Sequence, residues 1–230
     1  MMKEHNVPEE VKQVVLDVLK PYNTYAAYLT GSRSYGFYNK DSDYDVVAFV
    51  VPDKEDLYLG KPMVSEVIKT DKALVEQVTV KDVRYLLKNL KKPTFNNTLF
   101  MFQEPFLQFN ERLFDQDDAV TALLYRKKEF LFSLGGVYRQ RVAKGEVKDK
   151  AHALYLEQLF ESALHSSTLP DLKPEECLAV RLGEKDYEFK DANFLLEKAK
   201  EYPETFDYGN FHMLLDMKMV RWLEHYYEEY

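Results

Sequence analysis

The chain has 230 residues, of which 46% are hydrophobic, 14% aromatic and 30% charged, and its 31 basic against 39 acidic residues give a net charge of −8. That length suits one domain, or two small ones sharing an interface, and it buries a core without disulfide or metal staples. A single cysteine, Cys177, excludes an internal disulfide or a cysteine-rich zinc site, and the acidic balance excludes a broad electropositive coat while leaving room for a local basic groove.

Met1 to Glu10 is polar and mixed in charge, so no signal peptide is expected there, and no apolar run reaches bilayer length. With the lone cysteine, these features suit a cytoplasmic protein. Pro8 to Lys20 predicts a helix, because Val11, Val14, Val15, Val18 and Leu19 recur at helical spacing, Asn6 offers a cap and Pro21 a stop. Tyr25 to Leu29 predicts a short strand, followed by a loop or short helix through Lys40. The β-branched and aromatic run from Tyr44 to Val51 predicts a strong strand that Pro52 ends.

Asp53 to Leu59 reads as a turn, and Lys61 to Ile68 and Ala73 to Val80 as further strands. Val83, Leu86, Leu87 and Leu90 then share one helical face until Lys91-Lys92-Pro93 breaks it. Thr94 to Phe109, rich in Phe, reads as helix plus turn. Beyond Asp117 the pattern is helical, in segments of roughly Ala119 to Ala143, Lys150 to Ser166, Asp191 to Lys200 and Tyr208 to Tyr230. The expected fold is α+β: a small mixed sheet with flanking helices over residues 1–115, and a helical part over 116–230 packed on it. The change falls near residues 110–118, with no Gly/Ser-rich linker.

Chemistry concentrates in Leu29-Thr30-Gly31-Ser32-Arg33-Ser34-Tyr35-Gly36-Phe37 and Asp41-Ser42-Asp43-Tyr44-Asp45-Val46-Val47. A strand ends at Gly31-Ser32, where glycine permits close backbone approach and exposed N–H groups suit a phosphate. Ser32 adds a hydroxyl and Arg33 a charge. Asp43 and Asp45, two apart in a strand, point to the same side. Such like charges repel unless a cation lies between them, and hard oxygen ligands beside phosphates suit Mg²⁺. A phosphate cradle next to paired carboxylates therefore points to metal-assisted phosphoryl or nucleotidyl transfer.

These residues resemble the signature of the DNA polymerase β-type nucleotidyltransferase superfamily: strand, Gly-Ser, then Asp-x-Asp. The fuller motif is similar to a narrower group of nucleotidyltransferases, some of them associated with RNA ligases. The resemblance implies that Asp43 and Asp45 bind two Mg²⁺ ions holding a nucleoside triphosphate, and that Gly31 and Ser32 contact the phosphates, where the charge of Arg33 is also expected. It also implies a third carboxylate on a later strand. An acceptor hydroxyl on RNA, protein or a small molecule would attack the α-phosphorus and release pyrophosphate. A module of the same fold that binds nucleotide or RNA with weakened catalysis is the alternative.

The third carboxylate departs from the pattern. The matching position is Gln77, an amide. Glu76 is the chosen candidate, although regular alternation turns it to the other face and a β-bulge would be needed to bring it in. Glu66 and Asp82 are the other options. Elsewhere, His5, His152, His165, His212 and His225 show no metal spacing. Lys150 and His152 head a helix that could reach the nucleotide. Lys88, Lys91 and Lys92 form a small basic cluster, and Arg126-Lys127-Lys128 with Arg139, Arg141 and Lys144 a second basic face. Tyr35 and Tyr44 flank the motif, where packing and base stacking are both open to them.

Overall fold

The computed structural model describes residues 7–165, 172–203 and 209–229. Its strands are β1 (Thr24–Thr30), β2 (Asp45–Val50), β3 (Ser65–Lys72), β4 (Val75–Asp82) and β5 (Leu107–Gln108). They form one sheet in the order β3-β4-β2-β1-β5. β2 and β4 run parallel, and the other neighbouring pairs are antiparallel. The expected α+β class holds, and the long β-branched strand is the sheet's centre. The two strands after it lie several residues later than the sequence pattern suggested.

Helix α1 (Glu9–Leu19) covers one face of the sheet. Val11, Val15 and Leu19 pack there against Ala27, Leu29, Val46, Ala48, Val50, Val78 and Val80. The expected cap, Asn6, lies outside the described residues. After β1 comes α2 (Gly31–Tyr35), and after β2 comes α3 (Lys54–Tyr58), a short helix where a turn was expected. α4 (Arg84–Lys91) follows β4, and α5 (Phe95–Thr98) runs into a single 3-10 turn.

The helical half contains α6 (Gln116–Tyr125), α7 (Lys127–Lys144), α8 (Val147–His165), α9 (Pro174–Leu182), α10 (Phe194–Glu201) and α11 (Gly209–Glu229). One long helix was expected over 119–143; the chain instead breaks at Arg126, whose ψ of 32° leaves the helical region. α9 was not anticipated, although Pro174 at its start and Gly183 at its end are ordinary boundary signals. Ser166, Tyr208 and Tyr230, the expected ends of two helices, lie outside the described residues.

The face of the sheet opposite α1 joins the two halves. Tyr28, Val47 and Phe49 from the strands share one core with Phe95, Phe100 and Phe102, and with Phe130, Leu134, Tyr155 and Phe160 of the helical half. Tyr35 stacks on Tyr155 with ring centroids 4.8 Å apart and planes 24° from parallel. Most of the aromatic excess is spent on this seam, where each large ring removes much apolar surface from water. Cys177 is fully buried in the same core, and burial pushes its thiol up to about 12, so it is inert.

This shared core generates a prediction. A chain cut after residue 115 exposes the inner face of the sheet and should show no cooperative thermal transition and no fixed near-ultraviolet circular dichroism. A fragment of residues 1–115 that melts cooperatively would contradict it.

Candidate active site

The geometry begins at Gly31. β1 ends at Thr30, and Gly31 turns the chain into α2 with φ of +66°, a left-handed conformation open to glycine. A Cβ at this position would lie 1.9 Å from Asp45 Oδ2. The Asp45 carboxylate therefore rests directly against the glycine backbone. Thr30 supplies no side-chain cap to α2, so the first N–H groups of that turn remain available to an acceptor. Ser32, the second residue of the turn, is largely buried.

Asp45 is the first residue of β2, and Asp43 lies just before the strand. The pairing is extended by the Tyr44 N–H, which donates to the Leu74 carbonyl at 2.8 Å. Tyr44 points to the α1 side, so Asp43 and Asp45 share the opposite side, as the spacing predicted. Burial, then the charge of Asp43, then that of Glu76 raise the Asp45 carboxyl to about 6.

Arg33 was expected at the phosphates. Its guanidinium instead holds the aspartate loop. Nε donates to the carbonyls of Ser42 and Asp43 at 3.0 Å each, and the group sits 3.7 Å from the Tyr44 ring centre and 4.7 Å from that of Tyr38. Tyr44 is thus covered by Arg33, and Tyr35 is stacked inside the seam, so both tyrosines pack.

Of the candidates for a third carboxylate, the structure directs two elsewhere. Glu66 accepts from the Tyr22 hydroxyl at 2.6 Å on the α1 side. Asp82 is buried at the far end of β4, where it accepts from the Arg84 backbone at 2.9 Å and pairs with the Arg84 guanidinium at 2.6 Å. Glu76 adds its charge to the field at Asp45. Regular alternation would not place it so, but the alternation slips here. Val75 and Val78 both pack on the α1 side, and the β3–β4 register shifts between Lys69 and Lys72. The Thr70 hydroxyl fills the irregularity by donating to the Val75 carbonyl. Gln77 stands one position before the Val46–Val78 pair, level with Asp45. Among the described residues, no three His, Cys, Asp or Glu side chains converge closely enough to hold a metal by themselves.

The helical half supplies cations that carried no local sequence signal. Arg181 of α9 donates to Ser42 Oγ at 3.1 Å and to the Phe37 carbonyl at 3.5 Å. Burial lowers its pKa, and the charge of Asp43 opposes that shift. Arg141 of α7 does not belong to a surface basic face. It turns inward and pairs at 2.9 Å with Asp149, which is completely buried. His152 of α8 packs edge-on against Phe37 at 5.0 Å. Burial holds it neutral, with its pKa lowered to about 4 even though its Nδ1 lies 2.8 Å from the Lys148 carbonyl. A cleft of about 340 Å³ lined by Phe109, Glu111, Trp222 and His225 lies at the β5 edge, and none of the motif residues lines it.

Two outcomes are expected. Gly31→Ala should destabilise the protein by more than about 1 kcal/mol in urea denaturation, through both the positive φ and the clash. Adding Asp45→Ala should recover part of that loss, whereas strict additivity would contradict the contact. The second outcome concerns charge. The folded Asp45 carboxyl titrates near 6 against 3.8 unfolded, so its stabilising proton is kept below about pH 4 and lost as pH rises through 6. Asp45→Asn should therefore stabilise the ligand-free protein at pH 7.5 by about 1–2 kcal/mol, a conversion reduced for partial exposure, and make little difference at pH 4. A variant less stable than wild type at pH 7.5 would contradict this.

Comparison with known proteins agrees with the motif. Residues 11–101 match the family model of the nucleotidyltransferase domain. No curated protein matches. The chain is also similar to a crystal structure of a nucleotidyltransferase-like protein from Exiguobacterium sibiricum 255-15. Identity there is 11%, over 94% of this chain and 72% of the other, and the TM-score of 0.31 is too low to carry an argument. The matched segment contains most of α1, β1 to β4, Gly31-Ser32 and both aspartates, and over these residues the chain is similar to a nucleotidyltransferase domain.

Proposed function

We propose that this protein transfers a nucleoside monophosphate from a nucleoside triphosphate to an acceptor hydroxyl, with release of pyrophosphate. The observation that carries this reading is the Asp45 carboxylate. It is pressed on Gly31, raised to about 6, and surrounded by the further negative charge of Asp43 and Glu76. A divalent cation fits that donor set, because it would neutralise the negative charge that raises the Asp45 carboxyl.

Asp43 and Asp45 would hold Mg²⁺, with Glu76 as the third carboxylate. The metal would polarise the phosphoryl oxygens and stabilise the negative charge on the leaving group. The open N–H groups at Gly31 and Ser32 would take phosphate oxygens, with Arg181 close by at Ser42. Arg33 would act by fixing the loop that carries Asp43. In the transfer, the acceptor oxygen forms a bond to the α-phosphorus as the bond to the bridging oxygen of the β-phosphate breaks. The hydroxyl proton passes to Glu76, and pyrophosphate leaves. The lone, buried cysteine suits a reducing cytoplasm.

Gln77 favours a second reading. An amide level with Asp45 suits a module that binds triphosphate without turning it over. The two readings separate in one assay of Mg²⁺-dependent pyrophosphate release from each of the four ribonucleoside triphosphates, alongside triphosphate binding. Transfer predicts release that falls about a hundredfold or more in Asp43→Asn and Asp45→Asn, falls strongly in Glu76→Gln, and is unchanged in Glu66→Gln. Binding that depends on Asp45 without any release would support the second reading. Equal behaviour of wild type and both aspartate variants would overturn both.

A further inference from the structure

Half of one sheet face is bare. Register pairs Lys69 with Gln77, Val67 with Thr79 and Ser65 with Lys81 across β3 and β4. Their neighbours Ile68 and Val78 pack on the α1 side, so these six residues lie on the opposite face, the one that carries Asp45. There the helical half covers β1 and β2. Over β3, however, Ser65 and Lys69 are exposed and Val67 is 56% open to solvent. Gln77 is exposed, and Thr79 and Lys81 are half-buried.

Away from the acidic end at Asp45 and Glu76, the charge on this shelf is positive. Lys81 Nζ lies 5.9 Å and Lys88 Nζ 5.3 Å from the ring centre of Tyr85, a half-buried tyrosine on α4. Among the described residues, Lys69, Lys81 and Lys88 have no carboxylate partner. Lys91, the next lysine along α4, is by contrast paired with Asp216. In a chain of net charge −8, two lysines beside an aromatic ring and a third on the same strand face, none of the three with a carboxylate partner, are a local exception to the overall charge on the side of the proposed transfer site.

The rows run outward from that site. The first holds Asp45, Gln77 and Lys69, the second Val47, Thr79 and Val67, and the third Phe49, Lys81 and Ser65. Successive rows are two residues apart, about 6.6 Å along the strands. Tyr85 and Lys88 close the far end. Lysines that track a backbone, a ring for a base to stack on, and polar side chains between them are the parts of a single-strand binding surface.

We infer that the acceptor is a single-stranded nucleic acid laid along the bare face of β3 and β4. Its phosphates meet Lys69, Lys81 and Lys88, a base stacks on Tyr85, and its terminal hydroxyl reaches Asp45. This rests on the transfer reading for the role of the strand, but not for its binding. Three phosphate contacts give a slope of about −2 for log affinity against log salt, and each contact removed reduces it by about 0.7.

The test is fluorescence anisotropy of the full chain with labelled ten-nucleotide RNA and DNA strands over a salt series. Wild type should bind at low salt with a slope near −2, and the RNA and DNA arms show which sugar is preferred. Lys69→Glu/Lys81→Glu/Lys88→Glu should lose at least tenfold in affinity and most of the slope. Tyr85→Leu should lose about fivefold with the slope kept. Val67→Glu, a single change on an exposed strand position, should also weaken binding. Melting curves matching wild type establish that the variants are folded. Binding is read without triphosphate or Mg²⁺, and Glu66→Gln on the α1 side should bind the strand as wild type does, so failure of the transfer reading leaves this result standing. Absence of binding by wild type at low salt, or equal binding by the triple lysine variant, would overturn the inference whatever the triphosphate does.

Discussion

The site depends on one contact, that of the Asp45 carboxylate with the backbone of Gly31. The glycine is needed twice over, for its positive φ and for the space its missing Cβ leaves. That closeness joins the end of β1 to the start of β2, so the turn at Gly31-Ser32 and the acidic pair are parts of one object. It also buries negative charge that, among the described residues, forms no ion pair at Asp45, which costs stability in the free protein. A local cost of this kind at a rigid, backbone-defined point is what the proposed cation site would require of the chain.

The remaining structure holds that contact in place. Arg33 ties the loop before β2 through the Ser42 and Asp43 carbonyls. From the helical half, Arg181 reaches the same Ser42 through its hydroxyl, so two arginines from distant parts of the chain fix one residue beside Asp43. Tyr35, the last residue of α2, stacks on Tyr155 of α8, and His152 packs against Phe37. The aromatic seam thus sets the position of the short α2 helix as well as filling the core. Arg141 and the buried Asp149 brace α7 against α8 behind it.

The parts legible in the sequence were local ones. β2 is a β-branched run, α1 a regular apolar stripe, and Gly-Ser with Asp-x-Asp a motif contained within a few residues. Glu76 was legible as a residue but not as a direction, because its orientation follows from a slip in the strand that the partner strand, through Thr70, helps to set. Arg181 and Arg141 were not visible at all as site residues, since nothing near them in sequence distinguishes an inward arginine from a solvated one. The break at Arg126 has no glycine or proline to mark it, and β5 is too short for any periodicity to show. The Arg33 side chain was assigned to phosphate by its charge, while its neighbours Tyr38 and Tyr44 offered it two rings and a loop to hold.

The fold and the acidic pair together make a specific claim about where a cation sits. The most direct measurement is an anomalous difference map from a crystal soaked with Mn²⁺ and a non-hydrolysable triphosphate. The account predicts a peak coordinated by both Asp43 and Asp45, with phosphate density at the Gly31-Ser32 turn. A site without a peak at these aspartates, while the triphosphate binds elsewhere on the protein, would contradict it.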